Sequence, residues 1–380
     1  MASIQITGLT KFYGKRRGVE NVSLDIPDQE FLTVFGPAGA GKTTTLNLIA
    51  GIVTPNQGSV QIGNRVVDSL EPADRNVAMV FESYALYPQL TVYQNMAFPL
   101  KSPKHRLRKE EIEQRVGHFA KMLKIDHLLN RPIQALSNGQ RQRTALGRAL
   151  VRQPDVFLMD EPLSHLDAKL RHSMRAELKE MREQLGTTTI YVTHDYLEAM
   201  SLGDRVAVIN HGQILQVGAP EEVYFRPATV EVAQLFGDPE INIIEAKIRS
   251  KNREAVRFQM LGENWSASVS EDIGSMLDRL STDTIQVGFR PADVEILANG
   301  KTGFHGVVYS FEPLGTKSVL TIDSVGGQRV RALVDGHRTF QVDRRINFSV
   351  STRSLIFFDR DSARYIARSS QTEEEYSHHG

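Results

Sequence analysis

Short apolar runs alternate with one-sided apolar stripes up to about residue 240, and this alternation predicts an α/β region. The runs Phe31–Phe35, Val77–Phe81, Val156–Met159, Thr188–Val192 and Arg205–Ile209 predict strands. Each of the first four delivers a polar or glycine-rich loop at its carboxyl end, where open parallel sheets hold ligands. Between them, Glu110–Leu123 spaces Ile112, Val116, Phe119 and Leu123 by 4, 3 and 4, a helical stripe expected to pack on a neighbour. The texture changes between Arg226-Pro227 and Asp238-Pro239. From Ile243 onward, alternating segments such as Ala255–Met260, Thr284–Phe289, Ser318–Ile322 and Ile346–Val350 are broken by Gly, Asp and Asn. They predict small β-domains of sandwich or barrel type. The polar stretch Ser369–Gly380 is expected to fray.

Composition narrows the class of protein. A chain of 380 residues has room for two or three domains. Lys plus Arg (45) equals Asp plus Glu (45), so no overall field draws it to nucleic acid. Cys is absent, which excludes disulfides, thiolate zinc sites and Cys nucleophiles. No run approaches the roughly 18 apolar residues of a membrane helix. Met1–Thr7 has neither the basic nor the apolar region of a signal peptide. A cytosolic chain is expected, reaching any membrane through a partner.

Gly36, Pro37, Ala38, Gly39, Ala40, Gly41, Lys42 and Thr43 fit the phosphate-loop pattern G-x-x-x-x-G-K-[ST]. A strand precedes them and a helix, Thr44–Ala50, is predicted to follow. Glycines let successive N–H groups turn inward onto phosphate oxygens, and a helix N-terminus adds its positive dipole end. Lys42 is placed to reach the β- and γ-phosphates of a nucleotide, and the Thr43 hydroxyl to ligate Mg²⁺. Val156–Met159 then releases Asp160 and Glu161, a Walker B pattern. Asp160 is expected to hold Mg²⁺ through water, and Glu161 to polarise the attacking water as general base. Ser137 and Gln140 form an S-x-x-Q capping box ahead of a helix that runs through Leu150.

Together with the two Walker motifs, Leu136, Ser137, Asn138, Gly139 and Gln140 resemble the signature motif of ATP-binding-cassette (ABC) ATPases, usually Leu-Ser-Gly-Gly-Gln. Asn138 replaces the first of its two glycines. The resemblance implies that this signature closes over the γ-phosphate held by a second cassette. Tyr13 matches the aromatic that stacks on adenine, and Ser164–Asp167 the D-loop, with Asp167 at the dimer interface. His194, in Thr193–Asp195, matches the switch histidine that contacts the γ-phosphate. The implied nucleotide set is thus Tyr13, the loop from Gly36 to Thr44, Glu82, Ser137–Gln140 and Asp167. Glu161, His194 and Lys42 are the implied catalytic groups, with Thr43, Glu82 and Asp160 at the metal.

One position departs from the family. Its Q-loop usually reads Phe-Gln-Ser, whereas this chain has Phe81, Glu82 and Ser83. A Gln amide can ligate a metal and also donate a hydrogen bond; an ionised carboxylate ligates but cannot donate. Three readings stay open: Glu82 slows hydrolysis, it marks one half of an asymmetric pair, or it is simply tolerated.

Further segments, Ser83–Pro88, Thr91–Asn95, Gly212–Gly218, Gly288–Pro291 and Glu312–Gly315, are similar to the maltose-importer-type ATPases. That resemblance covers the chain to about residue 360. It implies a P-loop ABC cassette over 1–237 with a helical subdomain near 88–153, an OB-like regulatory β-domain over 238–368, and a polar tail over 369–380. It also implies ATP and Mg²⁺ as ligands and a second cassette chain, identical or similar, as partner. Transmembrane permease subunits and, indirectly, an external solute-binding protein complete the assembly, without nucleic acid, at the cytoplasmic face of the membrane. Sugars, polyols or glycerol phosphates are the implied solutes. A soluble ABC protein of ribosomes or DNA repair usually carries two cassettes or a long coiled-coil insertion, and neither is evident here. A regulatory scaffold crippled by Glu82 is opposed by the intact Glu161 and His194.

Overall fold

The computed structural model describes residues 2–102, 107–251, 255–268, 271–278, 282–298 and 301–369. They form two compact units, Met1–Pro220 and Glu221–Gly380.

The first unit begins with β1 (Ile4–Tyr13), β2 (Arg16–Ile26), β3 (Phe31–Phe35) and α1 (Lys42–Ala50). It continues with β4 (Gln57–Ile62), β5 (Arg65–Val66), β6 (Val77–Val80), α2 (Val92–Ala97), α3 (Lys109–Met122) and α4 (Asn138–Leu150). Then come β7 (Val156–Asp160), α5 (Ala168–Leu185), β8 (Thr188–Thr193), α6 (Tyr196–Leu202), β9 (Arg205–Asn210) and β10 (Gln213–Gly218). A six-stranded sheet runs β10-β9-β3-β8-β7-β6, parallel except for β10. A four-stranded antiparallel sheet runs β2-β1-β4-β5.

Strands β3, β7 and β8 are buried at every position, which is why they show no apolar–polar alternation; their threonines, Thr33, Thr188, Thr189 and Thr193, are buried with the rest. The apolar stripe of α3 packs Ile112, Val116 and Phe119 into one core with Val92, Met96, Leu146 and Leu150. The capping box forms as its spacing requires: Gln140 N–H donates to Ser137 Oγ at 3.3 Å, and Ser137 N–H to Gln140 Oε1 at 3.0 Å. Strand β6 stops at Val80 and leaves Phe81 outside it.

In the second unit, a six-stranded antiparallel sheet runs Glu263–Ser268, Ala255–Met260, Asn242–Lys251, Thr284–Phe289, Ile356–Asp359, Tyr365–Arg368. A five-stranded one runs Val294–Leu297, Arg345–Val350, Phe304–Pro313, Lys317–Ser324, Arg329–Asp335. Both contribute to one apolar core that includes Phe258, Phe289, Phe304, Phe348 and Phe357. Asn242 reaches across the unit: it accepts from the N–H of Arg331 at 2.7 Å and donates to its carbonyl at 2.9 Å. Ser369, at the start of the expected polar tail, is buried and pairs with Leu355 through its hydroxyl. The rest of that stretch, 370–380, lies outside the described residues.

Candidate active site

Parallel register builds the site. Phe35 lies beside Thr193 and Asp160 beside Val192, so β3, β7 and β8 end level with one another. The residues that follow, Gly36, Glu161 and His194, therefore emerge side by side, with Gly36 N–H on Thr193 O (3.4 Å) and Glu161 N–H on Val192 O (3.0 Å).

The phosphate loop crosses from β3 into α1. A Cβ at Gly36 would lie 2.0 Å from the carbonyl oxygen of Ile209, so no side chain fits there. Gly41 takes φ 109°, in the left-handed region, and caps α1 without a side-chain hydrogen bond. The first N–H groups of α1 are thereby left for an anion. Lys42 is buried; its Nζ donates to the carbonyls of Gly36 (3.0 Å) and Pro37 (2.9 Å) and lies 3.2 Å from Glu161 Oε1. Its neighbours in the loop, Ala38 and Gly39, line the cleft with Thr43 and Thr44, while Ala40 packs inward.

Glu161 is held from both sides. Lys42 takes one oxygen and His194 Nδ1 meets the other, Oε2, at 2.7 Å. Its backbone sits at φ 45°, a left-handed conformation that costs a side-chain-bearing residue about 1 kcal/mol or more. The Thr43 hydroxyl donates to Asp160 Oδ1 at 3.1 Å. Burial, with Glu161 and Glu82 adding repulsion, pushes the Asp160 carboxyl up to about 6 despite the Thr43 hydrogen bond and Lys42. A hydroxyl and a carboxylate destabilised by burial are oxygen donors suited to a hard cation, so Thr43 and Asp160 fit Mg²⁺. Among the described residues, no three His, Cys, Asp or Glu side chains cluster as a metal cage. Phosphate oxygens and water would have to complete the shell.

Glu82 reaches the same cleft from the loop after β6, half exposed. Its Oε1 lies 3.3 Å from the Ser164 hydroxyl and 3.7 Å from His165 Nε2. That hydroxyl also lies 2.9 Å from the Glu161 carbonyl, so one proton serves two acceptors. Next in the loop, Tyr84 (φ 61°) and Ala85 (φ 44°) are both left-handed. Arg148 of α4 donates to the carbonyls of both, at 2.9 and 2.7 Å.

The structure brings Tyr13, the phosphate loop, Glu82, Asp160, Glu161 and His194 to one open cleft of about 580 Å³ or its floor. Ser137, Asn138, Gly139, Gln140 and Asp167 do not line it. Ser137 caps α4, and Asp167 caps α5 by accepting from Leu170 N–H at 2.9 Å. Four residues that the motifs pass over belong to the cleft or its backing. Arg16 and Arg17 line it beside Tyr13, and a Lys-Arg-Arg run next to that aromatic is a usable signal. Glu198 accepts from the hydroxyls of Tyr191 (2.8 Å) and Thr193 (2.7 Å) behind His194, and burial raises its carboxyl above the usual range. Arg171 sits in the first turn of α5, the wrong end for a cation, which marks it as held there by a partner.

A phosphate loop level with an acid pair, Asp160 buried and Glu161 partly exposed, and a histidine on adjacent parallel strands defines a P-loop ATPase. The ABC transporter family matches residues 19–164, and the TOBE domain matches residues 287–358. The chain is 43% identical to the trehalose/maltose import ATP-binding protein MalK of Thermococcus litoralis, over 94% of this chain and 100% of the relative. It is 42% identical to the sn-glycerol-3-phosphate import ATP-binding protein UgpC of Cupriavidus pinatubonensis, over 96% and 100%. Among solved structures, the ATP-binding cassette MJ0796 in a dimeric post-hydrolysis state with ADP and Pi shares 31% identity (TM-score 0.52), covering 57% of this chain and 98% of that one. The cbiO1 cassette of Clostridium perfringens shares 29% identity (TM-score 0.54), over 58% and 89%. The chain belongs to the ABC transporter family, among its import ATP-binding proteins, and is an ATPase. No helix among the described residues is long and apolar enough to cross a membrane.

Proposed function

We propose that this chain is the motor subunit of a carbohydrate-type importer, hydrolysing ATP between two cassettes and driving a membrane permease from its cytoplasmic face. Sugars, polyols or glycerol phosphates are the solute class, by likeness to the trehalose/maltose and glycerol-3-phosphate import proteins. An external solute-binding protein would deliver the solute to the permease.

The observation that carries the chemistry is Glu161 held between Lys42 at 3.2 Å and His194 at 2.7 Å. A γ-phosphate entering over α1 competes for Lys42, because its charge exceeds that of one carboxylate. Glu161 is then released as a base for water, with His194 beside the same phosphate. Tyr13 would stack on adenine, and the N–H groups of Gly36–Thr44 would take the phosphates. Thr43 and Asp160, with Glu82 near, would hold Mg²⁺, which neutralises developing phosphate charge. The capped end of α4, at Ser137–Gln140, and Asp167 would face the second cassette's nucleotide, which fits their position outside this chain's own cleft. Tight closure on ATP and release after hydrolysis would move the permease by favouring one conformation.

ATP turnover of the purified chain, alone and with its permease, tests this reading. Turnover that rises with the permease and vanishes in Glu161→Gln supports it; turnover indifferent to any permease would refute the transport role.

A further inference from the structure

The segment after Glu161 and the segment carrying His194 are tied together by one side chain. Arg171 Nη2 donates to the Leu166 carbonyl at 3.2 Å, and Nη1 pairs with Asp195 Oδ2 at 3.3 Å. The other Asp195 oxygen, Oδ1, caps α6 by accepting from the N–H groups of Leu197 (2.8 Å) and Glu198 (3.4 Å). The Asp195 N–H in turn donates to Thr193 Oγ1 at 3.0 Å, and that hydroxyl is anchored on Glu198. Both residues flanking His194 are therefore fixed by hydrogen bonds. The imidazole itself is 53% exposed, so packing does not hold it.

Arg171 occupies its place at a cost. A cation in the first turn of a helix opposes the dipole. Its Nε is buried without a hydrogen-bond partner. A planar fork holds the carbonyl and the carboxylate at once in one fixed geometry, whereas a lysine's single nitrogen on a flexible stem sets no such geometry between them.

We propose that Arg171 is a positioning residue for hydrolysis, fixing the Leu166 segment against Asp195 and so aiming His194 at Glu161 and the γ-phosphate. This rests on reading His194 as a γ-phosphate contact. The test compares Arg171→Ala, Arg171→Lys, His194→Ala and the Arg171→Ala/His194→Ala double variant in the full chain. Turnover, melting temperature and affinity for a fluorescent ADP analogue are measured on each. Expected is a roughly tenfold fall in kcat for Arg171→Ala, with KM and ADP affinity within about twofold. Arg171→Lys recovers part of the rate, and the double variant is no slower than His194→Ala alone. If His194→Ala loses turnover while Arg171→Ala keeps it, or if the two losses multiply, the positioning role is wrong. So too if Arg171→Ala melts earlier yet turns over normally per folded chain. Full turnover in His194→Ala would instead remove the histidine reading, and this proposal with it.

Discussion

Every buried carboxylate, ammonium and guanidinium among the described residues lies in the first unit: Glu30, Lys42, Arg75, Asp160 and Glu198. The buried polar side chains of the second unit are Asn242, Ser318, Thr321, Ser324 and Ser369, all uncharged. An ion out of water loses hydration that only a partner replaces, so a core assembled for stability alone avoids it. The second unit is such a core. The first accepts the cost at Lys42 and Asp160 in the cleft, at Glu198 behind it, at Arg75 on the end of α1 and at Glu30 paired with Arg205, and the two units should answer differently to the same kind of substitution.

The largest effect is expected at Glu161. Glu161→Gln keeps the side chain's size and removes the base, so turnover should fall about a thousandfold while nucleotide still binds. An ATPase assay alongside equilibrium ATP binding checks both halves. Next is Arg75, which donates to the carbonyls of Leu48, Ile49 and Leu70 at 3.0 Å each and so closes the C-terminal end of α1. Arg75→Ala removes this donor from all three carbonyls, of which Leu48 keeps the Gly51 N–H, and should cost about 3 kcal/mol in urea unfolding.

Asp160→Asn should move stability the other way. Its carboxyl rises from 3.8 to about 6 in the fold, so the folded state binds this proton more tightly than the unfolded chain does. Ionisation therefore opposes folding fully above the folded value, partly between the two, and not at all below the lower one. In metal-free buffer at neutral pH the amide should stabilise the chain by about 2 kcal/mol. The gain should shrink as pH falls and disappear in acid; melting curves across pH decide it.

In the second unit, Asn242→Ala removes two hydrogen bonds to Arg331 but strands no ion, so about 1.5 kcal/mol is expected by the same unfolding assay. A loss as large as that at Arg75 would erase the contrast between the units. The smallest effect is expected from Glu82→Gln. The carboxylate is 52% exposed and its charge is screened, so turnover should rise less than about threefold. A tenfold rise would mean that Glu82 restrains the enzyme.

What could be read before the structure follows physical lines. Strands β3, β7 and β8 are buried on both faces, so they lack the alternation of a half-exposed strand and stand out as short, mostly apolar runs, and the phosphate loop is contiguous in sequence. The sheet β2-β1-β4-β5 is not legible in the sequence because β1 shifts register after Ile6 and again after Leu9, which spoils its alternation. Strand β10 stands out in the sequence only through the family likeness of Gly212–Gly218, not through a strand pattern. Pairings such as Glu82 with Ser164, Glu161 with His194, and Arg171 with Asp195 depend on where parallel strands end relative to one another. A linear pattern carries no such information.

Tyr84 and Ala85 behave as a spring with a catch. Two successive side-chain-bearing residues in the left-handed region store about 1 kcal/mol or more apiece, and the guanidinium of Arg148 keeps them so. The catch is mounted on α4, whose other end is the capped Ser137 turn, a rigid rod reaching about 15 Å from one to the other. A tilt of that rod at its exposed tip would load or release the spring at its far end. A displacement at the Ser137 turn would thereby be delivered, as leverage rather than as a shared contact, to the backbone that leads on to Tyr87 and Pro88.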